Sequence, residues 1–313
     1  MSRASATGAS LPAKISLDHT GAIVRDFAAT ALCWQRLGFL LSPVSPQRGR
    51  LPGRDEEGIW GTANRCAIFD CGYLELIGAV DPQGFNPWAR FLERFDGLHL
   101  LALRVSSADE TWAQLSSAPA LATWLDAPVQ RARVLDVDGV ERTMRFRNVF
   151  SRDAACPEGR YILIEHQTPE YLWQPRYRSH PNGARSLEAA FLCCEESTWS
   201  DGHPYARIAA MTGALPQPRG PGRVTLDLPG GGFVEGYSRA AFEARWGVTA
   251  PAQPSFAGVR IVFSDRALAA RLMEDNGVLV QRFGDVWHVG PDFTGGFVLE
   301  LSELQKGGDE AGT

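Results

Sequence analysis

Two stretches of this 313-residue chain carry side chains that could do chemistry together: Leu17-Asp18-His19 and Tyr73-Leu74-Glu75-Leu76-Ile77. An imidazole and a carboxylate are proton carriers and metal donors, so a histidine on one strand and a glutamate on another are the ingredients of a metal site inside a curved sheet. Both stretches read as half-buried strands. Successive side chains alternate, so His19, Gly21 and Ile23 share one face, and Tyr73, Glu75 and Ile77 share another. An acid between Leu74 and Leu76 belongs either at a sheet edge or in a cavity.

The elements that must position these residues are legible around them. Asp26 precedes a helical stretch, Phe27 to Arg36, and Gly38 supplies the left-handed residue that ends it. A polar loop rich in Pro and Gly runs from Ser42 to Gly58, then a strand from Thr62 to Phe69 and the Glu75 strand. That order is one β-α-β-β-β unit, provided the loop hides or replaces a strand. The pattern recurs, with helices expected at Ala108 to Leu115, Tyr205 to Met211 and Arg266 to Glu274, and Gly after helix as a repeated signal. A single unit leaves one sheet face bare, so units must pair. The expected fold is α+β: four β-α-β-β-β units pairing into two curved mixed sheets, or half-barrels, with helices on their outer faces.

With "LDHTGAIVRDF", "RLGF", "GTANRCAIFDCGYLELI", "IEHQTPEYLW" and "HPNGA", the chain resembles the vicinal oxygen chelate superfamily, and within it the glyoxalase-like domain proteins. The resemblance covers most of residues 15–303, with its sharp motifs before residue 185. It implies a first glyoxalase-like domain over 15–175, from units 15–80 and 97–170, and a second over 176–303, from units 185–240 and 255–303. Residues 1–14 and 304–313 are expected to be flexible tails.

The resemblance also implies metal ligands on the first and last strands of both paired units. His19 and Glu75 fit, and Glu165 is expected to fall where Glu75 falls. The departure is Leu100, which takes the place of His19 in the second unit, while His99 is expected to face the helices with no bulge to turn it. The expected set is His19, Glu75 and Glu165, with Glu75 and Glu165 as the catalytic proton carriers. Such a site suits Zn, Ni, Mn, Co or Fe. If occupied, the metal would hold two vicinal oxygens of the substrate. The rival reading leaves His19 and Glu75 as a hydrogen-bonded pair in a metal-free pocket.

Tyr73, Asn64 and Arg65 are the expected substrate contacts, although Arg65 reads equally as a rim residue in a surface ion pair. His166 is expected to face the helices, and His180 and Asn182 to shape the turn between halves. Gly230-Gly231-Gly232 lacks the helix and Lys-Ser/Thr of a phosphate loop and reads as a hairpin turn. His203 and His288 read as structural. The second half is expected to be a structural companion or a metal-free pocket.

The bulk numbers set the class. Hydrophobic residues make up 44% and charged residues 21%, the balance of a soluble globular protein. A net charge of −5 with no basic run argues against nucleic acid or an anionic membrane as partner. No apolar run approaches the ~20 residues of a membrane span. The six cysteines lack C-x-x-C spacing, which reads as reduced thiols in a cytoplasmic protein. Taken together, the expected function is a divalent-metal-dependent lyase or isomerase acting on a small oxygenated metabolite. The alternative is a metal-free protein of the same fold that binds or sequesters a small molecule, as resistance proteins do. Either works as a monomer or a homodimer.

Overall fold

The computed structural model describes residues 14–195 and 204–304. His203 and most of both expected tails lie outside these residues. The first sheet contains β1 (Ser16–Val24), β2 (Ser45–Arg50), β3 (Glu57–Ile68), β4 (Tyr73–Ala79), β5 (Gly97–Arg104), β6 (Val129–Val137), β7 (Val140–Phe150) and β8 (Arg160–His166). The second contains β9 (Ala184–Cys193), β10 (Pro216–Pro218), β11 (Arg223–Asp227), β12 (Phe233–Tyr237), β13 (Ser255–Phe263), β14 (Val280–Phe283), β15 (Val286–Val289) and β16 (Val298–Glu303).

The strand orders are β2-β3-β4-β1-β5-β8-β7-β6 and β10-β11-β12-β9-β13-β16-β15-β14, the same permutation twice. Within each, the first strand of a unit runs parallel to the last strand of that unit and antiparallel to the first strand of the next. The expected α+β architecture of two mixed eight-stranded sheets is what the chain adopts. The Ser42–Gly58 loop does conceal a strand, β2. Its Pro46 and Gly49 weaken any strand pattern, and its place at the sheet edge is where a proline is tolerated.

Local chemistry fixes the helix ends. The Asp26 carboxylate accepts from the Ala29 N–H at the start of the helix Phe27–Arg36, and Ser107 does the same for the Glu110 N–H before Ala108–Ser116. Gly38, at φ +85°, ends the first of these in the left-handed region. One hydrophobic core runs through both halves, joining Leu17, Trp34 and Phe39 to Ile208, Phe263 and Leu299. A separate cluster on the other face of the first sheet includes Ile23, Tyr73, Leu100, Phe146, Ile162 and Ile164. No helix among the described residues is long and apolar enough to cross a membrane.

Candidate functional site

The first sheet curls around a cavity of about 830 Å³. His19, Asn64, Tyr73 and Glu75 line its floor, and Leu100, Met144, Phe146, Ile162 and Ile164 line its apolar wall. The strand period selects these residues. Asn64 and Cys66 face the cavity on β3, so Arg65 points away, and its guanidinium donates to the carbonyls of Ser42 and Leu41 at 2.8 and 3.4 Å. Arg65 does not line the cavity and forms no ion pair among the described residues; it ties down the chain leading into β2.

A bulge builds the centre of the floor. On β1, Leu17 stands opposite Leu103 and His19 opposite Ala102, so Asp18 is an extra residue without a partner on β5. The extra residue brings the fully buried Asp18 side chain beside His19, where strict alternation would send it to the other face. The Nδ1–H of His19 donates to Asp18 Oδ1 at 2.7 Å, which leaves Nε2 as the acceptor turned to the cavity. Asp18 also accepts from Arg104 Nε at 2.7 Å and from His166 Nε2 at 3.0 Å. Burial alone would raise the Asp18 carboxyl. The charge and hydrogen bond of His166, together with those of His19, outweigh it and hold the group far below the usual carboxylate range. His166 therefore does not turn to the helices as its position after Glu165 implied. Its ring is brought to Asp18 and packs edge-on against Phe146 and Trp173.

Tyr73 stacks on His19 with ring centroids 4.1 Å apart, its hydroxyl 3.4 Å from Nε2. Burial, then the charges of Asp18 and Glu75, push the phenol well above its ordinary value, so it stays protonated. Glu75 Oε1 accepts from the Asn64 amide, and Oε2 lies 3.8 Å from His19 Nε2. From the far edge of the curled sheet, the Arg133 guanidinium reaches to 3.9 Å from Glu75 Oε1. Nε2 and Oε2 thus face a common space, with the Tyr73 hydroxyl in reach of Nε2 and no donor among the described residues on Oε2.

Register sets which side chains stand at the expected ligand positions. Glu75 stands opposite Gly21, two residues beyond His19 on β1. The corresponding place in the second unit, two residues beyond Leu100, is Ala102, which pairs with Ile162 on β8. Ile162, and not Glu165, occupies the second carboxylate position. Glu165 falls an odd number of residues further along, on the opposite face, where its Oε2 accepts from the Ala108 N–H at 2.9 Å at the start of a helix. The four positions are therefore His19, Glu75, Leu100 and Ile162. Among the described residues no group of three His, Cys, Asp or Glu side chains is arranged to hold a metal ion. Two donors and two aliphatic walls fall short of the three protein ligands that a catalytic metal site ordinarily has.

His99 does sit at a β5 irregularity, contrary to expectation, since Gly21 faces Leu100 and Ala22 faces Leu98. The ring nonetheless turns from the cavity, stacks on Phe95 at 4.2 Å and donates from Nε2 to the Phe95 carbonyl at 2.9 Å.

The second sheet fills its equivalent space with its own side chains. Glu235 stands opposite Phe191, where the first sheet has Glu75 opposite Gly21. Arg260 bridges Glu235 and Glu300 at 2.7 and 2.8 Å. The helix Arg239–Trp246 lays Trp246 on Phe191 with centroids 4.9 Å apart, and Arg245 and Trp246 donate to Glu300 at 2.9 and 3.0 Å. That helix was missed in the sequence, although Ser238 before it and Gly247 after it are start and stop signals. The second half is a filled companion to the open first one.

The family model described as a glyoxalase-like domain matches residues 17–199. No curated protein matches the chain. Among solved structures, a hypothetical protein from Staphylococcus aureus is similar over 93% of this chain and 100% of its own, at 10% identity and a TM-score of 0.62. A variant of 4-hydroxymandelate synthase from Streptomyces coelicolor is similar over 93% and 92%, at 14% identity and a TM-score of 0.60. A 2,3-dioxygenase from Pseudomonas sp. KL28 is similar over 94% and 93%, at 11% identity and a TM-score of 0.52. At these identities the likeness is one of fold.

Proposed function

Since the chain belongs to the glyoxalase-like domain family, we propose that its first sheet holds a small molecule in the cavity above His19 and Glu75 through side-chain contacts, without a metal held by the protein. The observation that carries this reading is the pair Leu100 and Ile162 at the positions where two further ligands would stand. A cavity of about 830 Å³ with an apolar wall and a few convergent polar groups suits a drug-sized or smaller molecule. The floor also has the parts of a proton acceptor, because Asp18 fixes the tautomer of His19 and aims Nε2 at the ligand.

A second reading, a divalent-metal-dependent lyase or isomerase, is favoured by one distance. The 3.8 Å between His19 Nε2 and Glu75 Oε2 is a span that one ion could bridge if substrate oxygens supplied the remaining ligands. Elemental analysis decides between the two. Untagged protein is incubated with Mn²⁺, Ni²⁺ and Zn²⁺, desalted, and measured beside His19→Ala and Glu75→Ala. The expected result is no stoichiometric metal in any of the three. One equivalent in the wild type, lost in both variants, sinks the metal-free reading.

A further inference from the structure

The five arginines that line the cavity are not alike. Arg131 pairs with Glu57 at 3.0 Å, Arg152 with Asp126 at 3.0 Å, and Arg160 with Asp153 at 2.9 Å. Their charges are answered within the chain. The guanidiniums of Arg48 and Arg133 make no hydrogen bond among the described residues, and the nearest carboxylate oxygen to Arg133 is 3.9 Å away. That oxygen, Glu75 Oε1, already accepts from Asn64. In the second half an arginine from a different strand, Arg260 on β13, does bond the counterpart of Glu75, meeting Glu235 at 2.7 Å. Arg133 has stopped short of such a bond.

Placement adds to this. Arg48 and Arg133 come from β2 and β6, the two edge strands of the first sheet, so they face the cavity from its opposite rims. Arg131, Arg133 and Leu135 are half-buried residues of β6, alternating with the exposed Ala132 and Val134. The edge strand therefore aims Arg133 inward over Met144, its partner across the hairpin. Below lie the apolar wall and, at the floor, His19 Nε2, within reach of the Tyr73 hydroxyl, and Glu75 Oε2, which accepts from no donor among the described residues.

We infer that the ligand is a small organic acid: its carboxylate is held by Arg133 with Arg48, its apolar body lies against Leu100, Phe146 and Ile162, and a hydroxyl donates to Glu75 Oε2. The inference rests on the cavity reading above and names the chemistry that cavity selects. A guanidinium at the rim favours an anion through charge-assisted bonds and makes Arg133 the specificity-determining residue for charge. The floor selects for a donor, because an acid without one leaves Glu75 Oε2 without a partner.

The test is calorimetric titration of the full chain with three probes: 3-phenyllactate, 3-phenylpropanoate, which lacks the hydroxyl, and 3-phenylpropane-1,2-diol, which lacks the carboxylate. The expected order is phenyllactate tightest, with each analogue weaker by about tenfold or more. Arg133→Met is expected to lose about tenfold for both acids and nothing for the diol, and Arg133→Lys to recover part of the loss. Arg131→Met, which removes an arginine already paired to Glu57, serves as the control for altered rim charge and is expected to change acid binding less than Arg133→Met. A diol that binds as well as the acids, or an acid affinity indifferent to Arg133→Met, overturns the inference and leaves the cavity reading standing. No saturable binding of either acid up to about 10 mM also overturns it. Metal at His19 and Glu75 in the elemental analysis would instead remove the reading on which it rests.

Discussion

Asp18 is the residue on which the floor of the cavity depends, since one buried carboxylate orders His19, His166 and Arg104 at once. A carboxylate accepts only, so both imidazoles must turn N–H groups toward it, and the free nitrogen of His19 is left for the cavity. What His19 and Glu75 lack is a third donor within reach. Leu100 stands opposite Gly21, and Glu75 flanks Gly21 on its other side. Because glycine puts no side chain between them, a ligand atom at position 100 would look across an open gap toward Glu75. Leu100→His is therefore expected to bind about one equivalent of Zn²⁺, at least tenfold tighter than the wild type, by completing a two-histidine, one-carboxylate set. The same change is expected to cost roughly 1–3 kcal/mol of stability in the metal-free state, because an imidazole replaces an aliphatic side chain in an apolar wall. Zinc titration by competition with a chromogenic chelator measures the first effect and urea denaturation the second. A variant that folds but binds no zinc would show that the backbone places position 100 too far from the pair.

At the scale of elements, the two halves are joined by a buried ion pair as well as by packing. Glu158, in the turn before β8, meets Arg207, on the helix Pro204–Thr212 of the second half. Arg207 Nε donates to Glu158 Oε1 at 2.9 Å, and the same oxygen accepts from the Tyr161 hydroxyl at 2.7 Å. Glu158 is fully buried and Arg207 nearly so, which makes the loss of one partner far costlier than for a surface pair. Glu158→Ala is expected to lower unfolding free energy by about 3–5 kcal/mol. Exposed Arg152→Ala, which breaks the pair with Asp126, is expected to cost under about 1 kcal/mol. Urea unfolding of the two variants side by side checks the contrast, and equal losses would mean that Glu158 contributes little to joining the halves.

For the whole molecule, stability depends on keeping several histidines neutral. Burial brings His99 down to about 4; its bond to the Phe95 carbonyl and the charge of Asp96 oppose the shift, and the charge of Arg94 adds to it. Burial lowers His180 and His288 in the same direction. A histidine whose folded value lies below its unfolded one, about 6.5, binds its proton more readily when unfolded. Its contribution is then complete above about pH 6.5 and is lost as the pH falls toward 4. For His99 alone the loss is on the order of 3 kcal/mol across that window. Asp18, depressed far below its ordinary value, loses its contribution only at pH values beneath the usual carboxylate range. Thermal unfolding between pH 7 and 4.5 is expected to show a steep fall in Tm for the wild type and a shallower one for His99→Phe. Parallel curves would mean that His99 carries no part of the acid sensitivity.

How much of this was readable along the chain follows from the range of the forces involved. Helix caps are local, so Asp26 marks its helix in the sequence as it does in the structure, where Ser107 and Asp265 cap two others in the same way. The repeated order of helix, glycine and short strands determines the paired sheets, because each unit has a face that only another unit can cover. Alternation by itself puts His19 and Glu75 toward one cavity and Arg65 away from it once the neighbouring Asn64 is placed inside. Three features needed the tertiary structure. The bulge that carries Asp18 to His19 arises from the register of β1 against β5, and no residue type announces it. Glu165 and Ile162 exchange roles because a shift of an odd number of residues between unit repeats reverses a side chain's face. The curl that sets Arg133 over Glu75 brings together residues 58 positions apart on strands from opposite sides of the sheet. Periodicity within a segment is written in the segment, whereas register and curvature are settled between segments, by the packing that closes the sheet.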